Sequence, residues 1–274
     1  MTVPARRFVR RRQAGGVVTV ELRSVKSMNI LGSEAIEELT AEFQRLYRED
    51  DCRVVVLRGA GDKAFIGGAD IYEMAALDQA AAEVFITRLA ALCEAIRDCP
   101  APVIARLAGW CLGAGLEVAV SCDLRVAGAG AAFGMPEVAV GIPSVIHAAL
   151  IPAMIGASRA AWLLLTGETI DAATAASWGL VHQVVPDDEL DARITQLAAR
   201  IATLGPQAVR QQKRLLNEWA DTTPSRAIED SIAQFGLAFR TGEPQHYMTR
   251  FTERQAARGK PVDADPRTGP GSLA

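Results

Sequence analysis

Twice in this chain of 274 residues a short run of interior-type residues leads into a glycine-rich loop, and the loop into a helix. The first run, CRVVVLRG (52–59), precedes a loop broken by Gly61-Asp62-Lys63 and by Gly67-Gly68, after which Asp70 is placed to cap a short helix from Ile71. The second, PVIARL (102–107), precedes Gly109 and the turn Gly113-Ala114-Gly115, which opens a short helix carrying Glu117. Short β-branched runs bounded by Gly and Pro read as buried strands. The order is strand, helix, strand, helix, strand, so the core is α/β. Both loops set backbone N–H groups at helix starts, where they bind an anion or polarise a carbonyl oxygen.

Around that core, residues 6–12 and 16–23 flank Ala14-Gly15-Gly16 as a hairpin. Ser33 is placed to cap a helix to about Glu49, with apolar positions Ile36, Leu39, Phe43, Leu46 and Tyr47. A second amphipathic helix spans 80–98 and closes before Pro100. DLRVAG (123–128), Ala132-Phe133-Gly134 and VHQVVP (181–186) read as strands, and 145–155, 158–166 and 171–177 as helices. Helices are expected at 187–203, 206–219, 225–239 and 244–257. A change in composition near Gly205 divides a core, 1–204, from a helical appendage, 205–258, of the kind that packs against a neighbouring subunit. The Pro-, Gly- and Asp-rich residues 259–274 read as a disordered tail.

An apolar fraction of 50% is ample for a core, and a net charge of −3 favours neither nucleic acid nor an anionic membrane. No apolar run reaches the ~18 residues that span a bilayer. The arginines at 6, 7, 10, 11 and 12, with no acid before Glu21, have the composition of an organelle transit peptide. They alternate with Phe8 and Val9 as an edge strand does, and we read them so. The five cysteines show no CxxC or Cys/His spacing and read as reduced core residues of a cytosolic protein. No metal site is expected.

Glu117 and Glu137 lie in almost wholly apolar surroundings, and a buried carboxylate costs several kcal/mol unless paired, hydrogen-bonded or protonated. Either each meets a base, Arg106 or Arg125 for Glu117, or the two share a pocket and move protons. Ser144 and His147, with Asp123, have the residue types of a hydrolytic triad, but no nucleophile elbow surrounds Ser144. Paired carboxylates also serve glycosidases, yet only 5% of residues are aromatic, few for stacking sugars.

Three stretches together resemble the crotonase superfamily, the enoyl-CoA hydratases and isomerases. KAFIGGADIYEM (63–74) is similar to its first glycine motif, Gly109 to Asp123 to its second, and FGMPEVAVGIP (133–143) to the segment bearing its second glutamate. LTGETIDAATAASWGLVHQVV (165–185) also resembles it, and the likeness covers roughly 6–256. The resemblance implies an α/β, crotonase-like spiral of ββα units with two roughly perpendicular sheets and a helical C-terminal trimerisation region. It implies a homotrimer or dimer of trimers, cytoplasmic, acting on an acyl-CoA, with coenzyme A part of the substrate and no separate cofactor. The oxyanion hole falls on the backbone amides of Ala69 and Ala114. Glu117 would activate water and Glu137 exchange a proton at C2, which makes the chain an enoyl-CoA hydratase, a lyase, of the kind that serves fatty acid metabolism. Substrate-binding positions are expected at Lys26, Met28, Ala64, Ile66, Gly68, Asp70, Ile71, Tyr72, Gly141 and His147, with Arg58 and Lys63 as further cations for the CoA phosphates.

Many members follow the second glutamate with paired glycines. Here the run Gly141 to Leu150 lacks them, is one residue shorter and contains His147. The acyl pocket wall is therefore expected to differ in shape and polarity. A double-bond isomerase, needing one base, is the nearest alternative within the family, and an idle acyl-CoA-binding scaffold the alternative outside enzymes.

Overall fold

A computed structural model of the chain describes residues 7–24 and 28–257. Two compact units divide between Pro206 and Gln207. The first begins with an antiparallel hairpin, β1 (Val9–Ala14) and β2 (Val17–Leu22), then α1 (Ser33–Leu46), β3 (Val54–Gly59), β4 (Ala64–Ile66), α2 (Ile71–Met74) and α3 (Gln79–Asp98). It continues through β5 (Val103–Leu107), β6 (Trp110–Leu112), α4 (Ala114–Ser121), β7 (Leu124–Gly128) and β8 (Ala132–Gly134). Two 3-10 helices, Pro136–Val140 and Ile146–Leu150, lead to α5 (Ile151–Ile155), α6 (Ala157–Thr166), β9 (Thr169–Asp171), α7 (Ala172–Trp178), β10 (Gln183–Val185) and α8 (Leu190–Ala202).

The strands form a six-stranded sheet, β1-β2-β3-β5-β7-β10, and a four-stranded one, β4-β6-β8-β9. From β3 onward each winding gives one strand to each sheet: β3 then β4, β5 then β6, β7 then β8. The large sheet is covered on both faces. Val54, Val56 and Ile104 pack with Leu190 and Ile194 of α8, while Val55, Leu57 and Val103 join Phe43 of α1 and Leu89 of α3. Successive strand side chains point to opposite faces, so a strand covered on both sides reads as an unbroken apolar run. β1 is the edge expected of an arginine-rich strand, and Arg11 pairs with the buried Glu42 (3.2 Å) and with Glu49 (2.5 Å).

β4, β6 and β9, of three residues each, were not expected; segment 59–68 reads as loop in the sequence. Three residues are too few to display a period of two. Ser33 is not a cap. The N-cap of α1 is Gly32, and the Ser33 N–H donates to Glu73 Oε2 (2.9 Å) while its hydroxyl donates to Glu73 Oε1, so an acid from α2 serves the helix start. Asp70 caps α2 as expected, accepting from the amides of Tyr72 (3.0 Å) and Glu73 (3.4 Å). All five cysteines are buried free thiols.

The second unit begins one residue into α9 (Pro206–Ala220) and continues with α10 (Pro224–Ala238) and α11 (Glu243–Ala257). Glu243 accepts from the amide of Gln207 (2.9 Å), and Gln211 donates to the Gln234 carbonyl (2.7 Å). Ile228, Ile232 and Phe235 form an exposed stripe along α10. No helix among the described residues is long and apolar enough to cross a membrane. The tail and residues 1–6 lie outside the described residues.

A Cβ built on Gly115 would lie 2.2 Å from the Ile66 carbonyl oxygen. Gly115→Ala must therefore push α4 off β4. Its expected cost is about 3 kcal/mol or more, read as a lower denaturant midpoint at unchanged slope.

Candidate active site

β4, β6 and β8 run parallel, with Ile66 opposite Cys111 and Leu112 opposite Gly134, so their carboxyl ends emerge at one edge. Each end delivers a different part of the site. After β4 come Gly67-Gly68-Ala69. The Leu31 N–H donates to the Gly68 carbonyl (2.9 Å) and the Asp70 N–H to the Leu31 carbonyl (2.8 Å), which leaves the Ala69 N–H between them unused. After β6, Gly113 donates to the Gly134 carbonyl (2.9 Å) and turns the chain at φ +52° into α4. Ala114 is the first residue of α4, so its N–H has no intrahelical acceptor. Neither amide donates to any group among the described residues. Unpaired amides of this kind are rare in a folded interior, and Ala114 is buried. The two loops touch, since a Cβ on Gly68 would lie 3.5 Å from the Leu112 carbonyl oxygen.

After β8 the chain passes the buried Met135 into the 3-10 helix that carries Glu137. A Cβ on Gly113 would stand 2.5 Å from Glu137 Oε1, so the glycine admits the carboxyl as well as the turn. The Ser144 hydroxyl donates to Glu137 Oε2 (3.0 Å). Glu117, one turn into α4, is buried, and its Oε1 accepts from the Ala148 N–H (3.3 Å). Neither expected basic partner reaches it. Arg106 pairs with Asp62 (2.7 Å) and Asp191 (2.5 Å), and Arg125 donates to the carbonyls of Leu180 and Cys122 (both 2.7 Å). Burial lifts the Glu117 carboxyl to about 8; the Ala148 N–H opposes this and the charge of Glu137 adds to it. Burial also raises Glu137, against the Ser144 hydrogen bond. Glu117, which senses the charge of Glu137, therefore keeps its proton at neutral pH, beside two free amide donors. That is the equipment for adding or removing a proton next to a polarised carbonyl.

The remaining positions are more scattered. Lys26 lies outside the described residues. Met28 abuts Gly67, whose N–H donates to the Met28 carbonyl (2.8 Å). Ala64 and Ile66 are buried in β4, Gly68 is buried in the loop at φ +121°, and Asp70 is occupied as the cap of α2. Ile71 and Tyr72 stand exposed on α2, and Gly141 ends the Glu137 helix in the left-handed region at φ +80°. Arg58 is not free for a phosphate: it lies in the large sheet among Glu21, Asp62 and Asp191. His147 is buried, with Nε2 3.0 Å from Glu94 Oε1. The Ser144, His147 and Asp123 triad is absent, because Ser144 serves Glu137, His147 serves Glu94, and Asp123 accepts from the Val103 N–H (2.7 Å). No group of three potential metal ligands occurs among the described residues. Ser144 as a partner of Glu137, and Ala148 as the amide donor to Glu117, were not anticipated. Nothing in a side chain announces the second, and the first spans seven residues of irregular backbone.

A family model described as enoyl-CoA hydratase/isomerase matches residues 12–260. The chain is 35% identical over 233 residues to a crotonyl-CoA hydratase of Syntrophomonas wolfei, covering 85% of this chain and 90% of that protein. It is 31% identical over 246 residues to a short-chain-enoyl-CoA hydratase of Clostridium acetobutylicum, covering 89% and 94%. The crystal structure of enoyl-CoA hydratase from Bacillus anthracis superposes with a TM-score of 0.87 at 30% identity, over 90% of this chain and 97% of that one. The two interlocked sheets with their helical C-terminal region are thus those of the crotonase fold. The chain belongs to the enoyl-CoA hydratase/isomerase family.

Between the ordinary carboxyl value of 4.5 and about 8, folded Glu117 keeps a proton that the unfolded chain has lost. Stability therefore falls as pH rises through that window. Glu117→Gln removes this cost. It is expected to be more stable than the parent by on the order of 3 kcal/mol at pH 7, with a gap in Tm that widens from pH 5 to pH 8. A constant gap across that range would contradict the burial argument.

Proposed function

We propose that this protein is an enoyl-CoA hydratase, adding water across the 2,3 double bond of a 2-enoyl-CoA thioester. The observation that carries the reading is the convergence of two unpaired amides, Ala69 and Ala114, with two carboxyls whose proton affinities are raised, Glu117 in part by the charge of Glu137. The thioester oxygen accepts from both amides, which stabilise the enolate as charge moves onto it. Each such donor is typically worth ~3–4 kcal/mol. Glu117 takes a proton from the attacking water, and Glu137 delivers one to C2. Burial alone favours the shared proton on Glu117, which is the arrangement that starts the reverse reaction, dehydration. Hydration proceeds from the other arrangement, with the proton on Glu137. Either direction needs one proton on the pair, so one site serves both.

The exposed Ile228, Ile232 and Phe235 stripe supports burial against another subunit, and the resemblance to the family extends this to a homotrimer or dimer of trimers. Five buried thiols, none in a disulfide, are consistent with a cytoplasmic, reducing setting.

Crotonyl-CoA hydration, followed as loss of the ultraviolet absorbance of the conjugated thioester, tests the reading. Glu117→Gln and Glu137→Gln are each expected to lower kcat by at least ~10³-fold, and normal rates would reject the two-carboxyl mechanism. If the parent protein shifts the double bond of a 3-enoyl-CoA but does not hydrate crotonyl-CoA, the chain is an isomerase. The kcat/KM profile should be bell-shaped. It falls on the acid side as the pair takes up a second proton, and on the alkaline side, near pH 8, as it loses its last. Ala114→Pro keeps an acceptable first helical residue while deleting its N–H. It should cost about 10²–10³-fold in kcat.

A further inference from the structure

Five residues, Ser144 to Ala148, reach three acids on three different elements. Ser144 donates to Glu137, the Ala148 N–H donates to Glu117, and His147 Nε2 lies 3.0 Å from Glu94 Oε1 on α3. The first two acids are the proposed proton pair. The third contact has no part in the chemistry, yet it is made by a buried histidine immediately before Ala148.

Two features show that this contact matters. Ile146 sits at φ +39°, in the left-handed region. A β-branched residue rarely enters it, and such strain persists only where the neighbours over-determine it. His147 Nδ1 is buried without a partner. An aliphatic side chain would fill the same space and leave no orphaned atom, so the Nε2 bond is the part of the ring that serves the structure. Burial and the charge of nearby Arg97 hold the imidazole below its usual proton affinity, against Glu94. The neutral ring donates its Nε2–H to the carboxylate.

We propose that Glu94 and His147 are a positioning pair: their hydrogen bond pins the strained Ser144–Ala148 turn to α3 and so keeps the Ala148 N–H aimed at Glu117. The consequence for catalysis rests on the hydratase reading, in which Glu117 handles the water. The consequence for the Glu117 carboxyl does not. Its ionised form is favoured by the Ala148 N–H and opposed by burial and by Glu137, with Cys93 of α3 also within electrostatic reach. Losing the amide leaves only the opposing influences, so its titration moves to higher pH.

The test uses the full-length protein and its variants Glu94→Ala, His147→Ala, His147→Gln and the double alanine variant. Glu94 is 58% exposed, so its replacement leaves the core intact even where His147→Ala impairs folding. Carboxyl-carbon NMR, assigned against Glu117→Gln, reads Glu117 without any substrate. Glu117 is expected to titrate at higher pH in both single alanine variants and to return toward the parent value in His147→Gln, whose amide offers a donor at the reach of Nε2. With crotonyl-CoA, kcat should fall about tenfold with KM nearly unchanged. The double variant should be no worse than His147→Ala, as expected of residues that act as a unit. An unmoved Glu117 titration in Glu94→Ala, or losses that multiply in the double variant, would overturn the pairing. A parent protein that fails to hydrate crotonyl-CoA, with the titration shifts present, would reject the hydratase reading and leave the pairing standing.

Discussion

Everything at the candidate site depends on the parallel pairing of three strands of only three residues each. β4, β6 and β8 are too short to stand as a sheet by themselves. They are placed because each follows a strand of the large sheet after a brief crossing: Gly59 to Ala64, Leu107 to Trp110, Gly128 to Ala132. The large sheet is held by apolar burial on both faces, and the small one inherits its spacing. The crossings require backbones to approach almost to contact. At Gly109, with φ +58°, a Cβ would lie 2.1 Å from the Lys63 carbonyl oxygen. Gly113 and Gly115 make the corresponding approaches to Glu137 and to β4. Glycine recurs here because two chains occupy the space of one, and the unpaired amides of Ala69 and Ala114 are the outcome.

The same packing sets the proton chemistry. α4 is buried along its whole length, and Glu117 rides on it with one hydrogen bond and no counter-ion among the described residues. Guanidinium groups are close in sequence but engaged elsewhere: Arg106 by two aspartates, Arg125 by carbonyls. An ion pair would have made Glu117 a permanent anion of low proton affinity. Its absence leaves a carboxyl that retains a proton near neutrality, at a cost in stability. Sites that move protons commonly carry such a burden.

Much of this was legible in the chain, for identifiable reasons. The central strands of the large sheet, β3 and β5, are long enough, and apolar enough on both faces, to stand out as β-branched runs. The glycine loops stand out because backbone approach requires glycine whatever the surrounding sequence. Glu117 and Glu137 stand out because carboxyls in apolar company need a reason. The small sheet was invisible except at Ala132–Gly134, since three residues display no period. The flanks of Glu137 misled: Val138, Ala139 and Val140 suggest a buried segment, yet they are exposed and only Met135 enters the core. Apolar composition does not distinguish a core from a surface that awaits a ligand or another subunit. Hydrogen bonds made by main-chain amides, Ala148 above all, leave no trace in residue identity.

The departure at Gly141 to Leu150 follows from the same reasoning. The turn after Glu137 enters the left-handed region twice, at Gly141 (φ +80°) and at Ile146 (φ +39°). Gly141 adopts it freely, whereas Ile146, being β-branched, lacks that freedom. Strain of this kind is typically of order 1–3 kcal/mol and must be offset by contacts formed only in that geometry. Ser144 to Glu137 and His147 to Glu94 are such contacts, one on each side of the strained residue. Side chains have taken over a task that glycine performs elsewhere in this molecule. The exchange ties the shape of the turn to the charge and hydrogen bonding of the acids around it, where a glycine turn would have been indifferent to both.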